Sequence, residues 1–361
     1  MIVVMAPEGL ENRHRMDEPA PEDKTQAPGL SVCVIAYNSG PTLRACLASL
    51  AAQTFTDFET LVIDNASPDA GDAAIAAEFP GVRLVRNQAN LGFAGAGNQA
   101  ARLARGRWFV LLNPDADADP DWLAELVAAS RRHPGVKAFT SRQLMADQPG
   151  VLDGLGDVMS GYGIPYRGGY LGPDPGDTAE GEVFSPCGAA MMIDRALFLD
   201  LGGFDEQFFC YGEDVDLGYR LQLAGEPTVV VPRAVVRHVG SASSGGRKSE
   251  FAVFHGTRNR FWVVAKDTPA LLLPLVVPLH LAAVVYISLR RPNRPHAGLV
   301  WRAFLAAMKG LPQVMRSRAR VQKGRRVSAW RIARAMTWDP RDLTGRRPVI
   351  RPLRPTPPGG A

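Results

Sequence analysis

The chain has 361 residues, 46% hydrophobic and 21% charged, a balance that excludes a fibrous or disordered protein and allows one large domain with an extension. The net charge of +5 is unevenly placed: from Arg290 onward 18 Lys/Arg face 2 Asp/Glu, so that stretch carries +16 and everything before it −11. An acidic body with a basic tail argues against a nucleic-acid partner. The four cysteines are scattered without a Cys-x-x-Cys pair, which excludes a zinc or disulfide scaffold and fits a reducing cytoplasm.

Residues 1–29 carry charges and prolines without an adequate apolar core for a signal peptide, and read as a flexible leader. Leu30 to Ala36 then reads as a buried strand ending at Tyr37-Asn38-Ser39-Gly40. Pro41 opens a helix with Leu43, Cys46, Leu47 and Leu50 on one face. A second strand, Phe58 to Ile63, ends in Asp64-Asn65-Ala66-Ser67. A helix around Asp72 to Glu78, a short strand Val82 to Arg86, a polar glycine-spaced loop Asn87 to Gly97 and a helix Asn98 to Ala104 follow. The apolar run Trp108 to Leu112 is a further buried strand. It stops at Asn113-Pro114, and the turn presents Asp115 and Asp117. Repeated strand, polar turn and helix predict an α/β fold with a mainly parallel sheet and a site at the strand C-termini. Two carboxylates one residue apart suit a hard divalent cation that also holds a diphosphate, although Asp-x-Asp alone equally describes a solvated acidic turn.

Four segments in order, Val-Ile-Ala-Tyr-Asn-Ser-Gly, Val-Ile-Asp-Asn-Ala-Ser, Arg-Asn-Gln-Ala-Asn-Leu-Gly-Phe-Ala and Leu-Leu-Asn-Pro-Asp-Ala-Asp, resemble glycosyltransferase family 2, a GT-A nucleotide-sugar-binding fold, and its rhamnosyltransferase-like branch in particular. The similarity runs from about Leu30 to about Gly240. It implies that Ala36, Tyr37, Asn38, Asp64 and Asn65 hold base and ribose, Asp64 by accepting a hydrogen bond from a pyrimidine imide. Asn90 and Gly95 would lie near the nucleotide-sugar, where small residues permit close backbone approach. Asp115 and Asp117 would engage Mg²⁺ or Mn²⁺ across the two phosphates, with Asp115 also touching the nucleotide.

After Pro120 a helix to about Arg132 buries Trp122, Leu123, Leu126 and Val127. Residues 146–180, rich in Gly, Asp and Pro, read as a variable loop region on the acceptor side. Phe184 to Ile193 returns to an apolar strand. Tyr211-Gly212-Glu213-Asp214-Val215-Asp216 then opens a helix that Gly225 ends. This matches the family's acceptor-side Glu-Asp motif and makes Asp214 the candidate catalytic base, with Glu213 beside it. Acidic residues in a first helical turn also simply complement the helix dipole. Val229 to Pro232 and Ala234 to His238 form the closing strand region, and the family places a metal-binding histidine where His238 stands. Ser243 to Lys248 reads as a mobile, phosphate-compatible loop. Arg258 is a candidate for the leaving diphosphate. The Gln-x-x-Arg-Trp pattern of processive synthases is missing around Arg258, which favours transfer of a single sugar.

Residues 268–289 hold no charge over 22 positions, long enough to span a bilayer but broken by Pro274 and Pro278. One crossing would separate a body needing cytoplasmic nucleotide-sugar from a basic tail that also prefers the cytoplasmic side. The expectation is therefore an interfacial segment followed by basic amphipathic helices such as Leu299 to Leu311 on anionic lipid. The organisation read from sequence is leader 1–29, GT-A domain 30–265, membrane-associating helical region 266–350 and disordered tail 351–361. The expected enzyme is cytoplasmic and peripheral to the inner face of the plasma membrane. It would be an inverting, metal-dependent transferase using dTDP-L-rhamnose on a lipid-linked or cell-surface glycan acceptor. A UDP-sugar donor and a non-catalytic sugar-nucleotide or membrane scaffold are the alternatives. A nucleotidyltransferase would carry a Gly-rich basic loop where Tyr37-Asn38-Ser39-Gly40 stands.

Overall fold

The computed structural model describes residues 27–69, 71–240, 249–289 and 296–353. The leader before residue 27, the 243–248 loop and the tail from residue 354 lie outside the described residues. Strands β1 (Leu30–Ala36), β2 (Phe58–Asp64), β3 (Val82–Arg86) and β4 (Trp108–Leu112) form a parallel unit in the order β4-β1-β2-β3. Helices α1 (Pro41–Ala51), α2 (Gly71–Ala77) and α3 (Gly92–Leu103) connect them. Strand alternation divides the core. Val32 and Val34 of β1 join α1, α2 and α4 (Trp122–Arg132) on one face, while Cys33 and Ile35 meet α3 on the other. Each such fully buried Val or Leu side chain contributes roughly 1.5–3 kcal/mol.

Between β4 and α4 lies β5 (Ala116–Ala118), which pairs with the last strand of the sheet. The remaining strands are β6 (Ala138–Met145), β7 (Leu152–Leu155), β8 (Asp157–Met159), β9 (Pro165–Arg167), β10 (Gly181–Val183), β11 (Ala190–Asp194) and β12 (Thr228–His238). β11 runs antiparallel between β4 and β6, and β12 pairs parallel with β6 over eight positions, so most paired positions in the sheet remain parallel. Helix α5 (Arg195–Asp200) follows β11, and α6 (Glu213–Ala224) precedes β12.

Several sequence expectations change here. Helix α3 begins at Gly92, six residues earlier than Asn98, because the Asn90 and Asn65 side chains accept the Gly92 and Leu91 amides that would otherwise be bare. The expected strand 184–193 is broken at Pro186, leaving β10 and β11 joined by a loop. Residues 146–180 are not a plain loop. They fold into β7, β8 and β9, tied down by the chain's C-terminal segment: the Gly161 amide donates to the Thr337 carbonyl and Tyr166 Oη to the Arg347 carbonyl. Glu182 and Arg351 exchange backbone bonds of 2.7 and 2.9 Å, so the start of the expected disordered tail is an ordered strap.

The C-terminal helices are α7 (Glu250–Asp267), α8 (Leu273–Leu289), α9 (Ala297–Lys323), α10 (Ala329–Ala335) and α11 (Pro340–Gly345). Phe261 and Trp262 of α7, Ala307 and Val314 of α9 and Ile332 of α10 join Phe208, Val215 and Tyr219 in a third core cluster. These helices share a core with the catalytic body rather than hanging from it. The Ala270–Leu289 helical stretch is long and apolar enough to cross a membrane, and little of it is buried.

Candidate active site

The C-terminal ends of β1, β2 and β4 open onto a cavity of about 520 Å³. Tyr37, Asn65, Asn90, Asn113, Asp115, Glu213, Asp214 and His238 all line it, so residues up to 201 positions apart in sequence, from Tyr37 to His238, converge. Nothing in their spacing required this; the strand order did.

One corner is built at the end of β4. The turn Asn113-Pro114-Asp115 leads into β5, whose Ala116 registers opposite His238 on β12. A bulge between Val231 and Val235, at Pro232, sets the register that brings His238 to this point. His238 Nε2 lies 3.2 Å from Asp115 Oδ1 and 3.3 Å from Asn113 Nδ2, and Nδ1 lies 2.7 Å from Asp153 Oδ2. Burial alone would depress the imidazole, but its hydrogen bonds to Asp115 and Asp153 outweigh that and raise it above the usual histidine range. Asp115 with His238 is an oxygen-and-imidazole donor set fitted to a divalent cation. Asp117 stands elsewhere. On β5 it registers opposite Arg237 of β12, and it is not among the residues that line the cavity. Burial raises its carboxyl, against the pull of Arg237.

The side of the site at the ends of β1 and β2 is held by a carboxylate network. Asp64 is fully buried, its two oxygens accepting from the Ser67 amide and from Arg86 Nε. Asp72 accepts from the Ser39 and Gly40 amides, fixing the turn after Asn38, whose φ is +50°. Ala36, Asn38, Asp64 and Gly95 are not among the residues that line the cavity: Ala36, Asp64 and Gly95 are buried and Asn38 is exposed. Gly95 is inside α3, where an added Cβ would meet Leu91 Cβ at 3.0 Å.

The opposite corner is the start of α6. Asp214 Oδ2 accepts the Gly188 amide at 2.9 Å and Oδ1 the Val215 amide at 2.8 Å. Both bonds fix the orientation of the carboxylate at the cavity wall. Neighbouring Glu213 has a buried Oε2 without a hydrogen-bond partner, and burial, then Asp214, pushes its carboxyl well above the usual range. Asp216 does not face the cavity; it pairs with Arg220 and Lys266. Arg258 also stays outside. Its guanidinium donates to the Phe208 carbonyl at 3.0 Å and stacks over Trp262 at 4.3 Å.

Several residues at or beside the cavity escape sequence reasoning, of which Arg167, Phe209 and Tyr211 line it. Asp153, Asp157 and Arg167 come from the 146–180 segment: Arg167 pairs with Asp153, and Asp157 sits against Asp214 and Cys187. Phe209 and Tyr211 line the cavity in the left-handed region, φ +64° and +71°. Asn259, fully buried, holds that strained loop by donating to the carbonyls of Phe208, Cys210 and Tyr211 at 2.9, 2.9 and 2.7 Å. The only sequence signal was glycine at 212, just before the helix.

Sheet, cavity and opposed corners are those of a GT-A-type fold. The fold is similar to GalNAc-T7 solved with UDP, GalNAc and Mn²⁺ (TM-score 0.53, 20% identity), covering 68% of this chain and 48% of that one. It is also similar to the mannosyltransferase PcManGT of Pyrobaculum calidifontis in complex with GDP-Man and Mn²⁺ (TM-score 0.50, 19% identity), covering 80% and 88%. Residues 31–153 match Glycosyl transferase family 2. Over 307 residues the chain is 33% identical to an N-acetylglucosaminyl-diphospho-decaprenol L-rhamnosyltransferase of Mycobacterium tuberculosis, covering 75% of this chain and 97% of that protein. The chain belongs to glycosyltransferase family 2 and is a glycosyltransferase.

Proposed function

We propose that the chain transfers a single rhamnosyl residue from dTDP-L-rhamnose to a lipid-linked glycan acceptor during cell-surface polysaccharide synthesis, with inversion at the anomeric carbon. The observation that carries this reading is one cavity with a cation-type corner, Asp115 and His238, facing a carboxylate, Asp214, held by two amides. Asp214 takes the proton of the acceptor hydroxyl as that oxygen attacks the anomeric carbon. Its two amide bonds orient the carboxylate, and no covalent sugar–enzyme bond is needed. Tyr37, Asn65 and Asn90 bind the nucleotide side of the donor, with Asp64 and Arg86 shaping the base pocket. Asp115 and His238 would hold a divalent cation, Mg²⁺ or Mn²⁺, which would supply Lewis-acid stabilisation of the departing diphosphate. The donor and acceptor rest on the mycobacterial relative, whose name specifies rhamnosyl transfer and a diphospho-decaprenol acceptor.

We also propose that α8 and α9 rest on the cytoplasmic face of an anionic membrane. Leu271, Leu275, Val285, Leu289, Trp301 and Leu305 are exposed, and Arg302, Lys309 and Arg316 accompany them on α9.

A thermal-shift panel of dTDP, UDP and GDP, each with Mn²⁺, Mg²⁺ or EDTA, tests the donor site. The expected result is a metal-dependent rise with dTDP that Asp115→Ala abolishes and Asp214→Ala keeps. A preference for UDP moves the donor away from rhamnose; no shift with any nucleotide in folded protein defeats the proposal.

A further inference from the structure

We infer that Asp153 is a positioning residue that fixes His238 in the tautomer able to bind a cation, an inference that rests on the metal corner proposed above. The two ring nitrogens of His238 face opposite partners: Nε2 faces Asp115 Oδ1 and Nδ1 faces Asp153 Oδ2 at 2.7 Å. Asp153 is thus on the far side of the ring from the cation corner and is not itself placed as a ligand. His238 is 1% exposed and Asp153 0%, so water does not compete for this bond.

An ionised carboxylate only accepts hydrogen bonds. Opposite Asp153, Nδ1 therefore carries a hydrogen. A cation at the Asp115 corner would displace the hydrogen that Nε2 shares with Asp115, and the ring would hold it through Nε2 as the Nδ1–H tautomer. A buried carboxylate needs a counter-charge to stay ionised. Arg167 supplies it, pairing through Nη1 with the same Oδ2 that faces His238. The three residues come from β7, β9 and β12, so the short strands of the 146–180 segment exist at this point to hold a ring on a distant strand. Histidine–carboxylate pairs behind a metal ligand typically contribute 10–100-fold in metal affinity.

The test is a Mn²⁺ titration of the full chain with saturating dTDP, read by the electron paramagnetic resonance signal of free Mn²⁺. Asp153→Asn, nearly isosteric but offering an amide, is expected to weaken Mn²⁺ about 10–100-fold. The same change in a His238→Ala background is expected to add little, since both act through one ring. Unchanged affinity in Asp153→Asn, or an equal further loss without His238, overturns the inference. If Asp153→Asn does not fold, ¹⁵N-histidine NMR of the wild-type Mg²⁺–dTDP complex decides. A hydrogen on Nδ1 of His238 supports the inference, and one on Nε2 overturns it. No Mn²⁺ uptake by the wild-type chain defeats the metal corner itself, whereas uptake without a difference between variants defeats only the role of Asp153.

Discussion

The two corners of the cavity are made in different ways. The donor corner grows from the ends of consecutive parallel strands, so its residues follow directly from the strand pattern: Tyr37 after β1, Asn65 after β2, Asp115 after β4. The acceptor corner is assembled from pieces far apart in sequence: Gly188 before β11, Asp214 at α6, Arg167 on β9 and a loop braced by Asn259 of α7. The first is a consequence of topology; the second depends on side-chain bonds that hold irregular backbone. Substitutions should therefore separate the two, the donor corner failing in binding and the acceptor corner in rate or in folding.

The largest effect expected is at Asp214. Replacing it by Asn keeps the bulk and removes the base, so transfer falls about 10²–10⁴-fold. The metal-dependent nucleotide shift should persist, because Asp214 holds none of the donor-side bonds. Loss of nucleotide binding in this variant would merge the corners and break the comparison. Next is Asn259→Ala. Its one side-chain amide serves three carbonyls of the strained 208–211 loop. Each buried carbonyl left bare costs about 1–3 kcal/mol, so the urea midpoint should fall clearly, with unchanged slope. Wild-type stability would show that the loop's positive φ angles are held by something else.

This contrast also explains what the sequence disclosed. Buried strands with polar ends revealed β1, β2 and β4, and with them the donor corner and the class of fold. Asp214 was legible through its helix-opening Glu-Asp pair. His238 was legible only by resemblance, since its place depends on a bulge at Pro232 that no periodicity reveals. Asp117 and Arg258 seemed equivalent to lining residues because spacing cannot show that Asp117 registers opposite Arg237 across β5 and β12, or that Arg258 is drawn to the Phe208 carbonyl and Trp262. Asp153 and Arg167 were invisible, being lone charges in a Gly- and Pro-rich stretch whose short strands pair with β6 and with each other and are tied to the C-terminal strap.

A smaller effect sharpens the acceptor corner. Burial, and then Asp214, raise the Glu213 carboxyl well above its ordinary range in the folded chain, so its folded pKa exceeds its unfolded one. Such a group favours folding below the ordinary carboxylate pKa and loses that contribution as pH rises toward its folded value. Above about pH 4.5 the folded chain binds the extra proton, and stability declines by up to about 1.4 kcal/mol per pH unit from this site. Glu213→Gln removes that slope. Urea unfolding between pH 5 and 7 should show the variant gaining on the wild type as pH rises; parallel curves would mean that Glu213 is ionised in the fold.

The smallest effect expected is on the face of α9 proposed to contact the membrane. Trp301 and Leu305, one turn apart on α9, are 60% and 50% exposed, and neither belongs to a buried cluster. Converting both to Glu leaves the core alone while removing apolar contact and adding negative charge against anionic lipid. Binding to vesicles containing anionic phospholipid should fall about tenfold or more, and transfer to a water-soluble acceptor analogue should stay at the wild-type rate. Neutral vesicles separate the contributions. If Trp301 and Leu305 act by insertion, binding to neutral vesicles falls as well, whereas a purely electrostatic contact would be weak on neutral lipid in both proteins. Equal binding of variant and wild type to anionic vesicles would move the membrane contact off this face of α9, leaving the apolar surface of α8 to account for it.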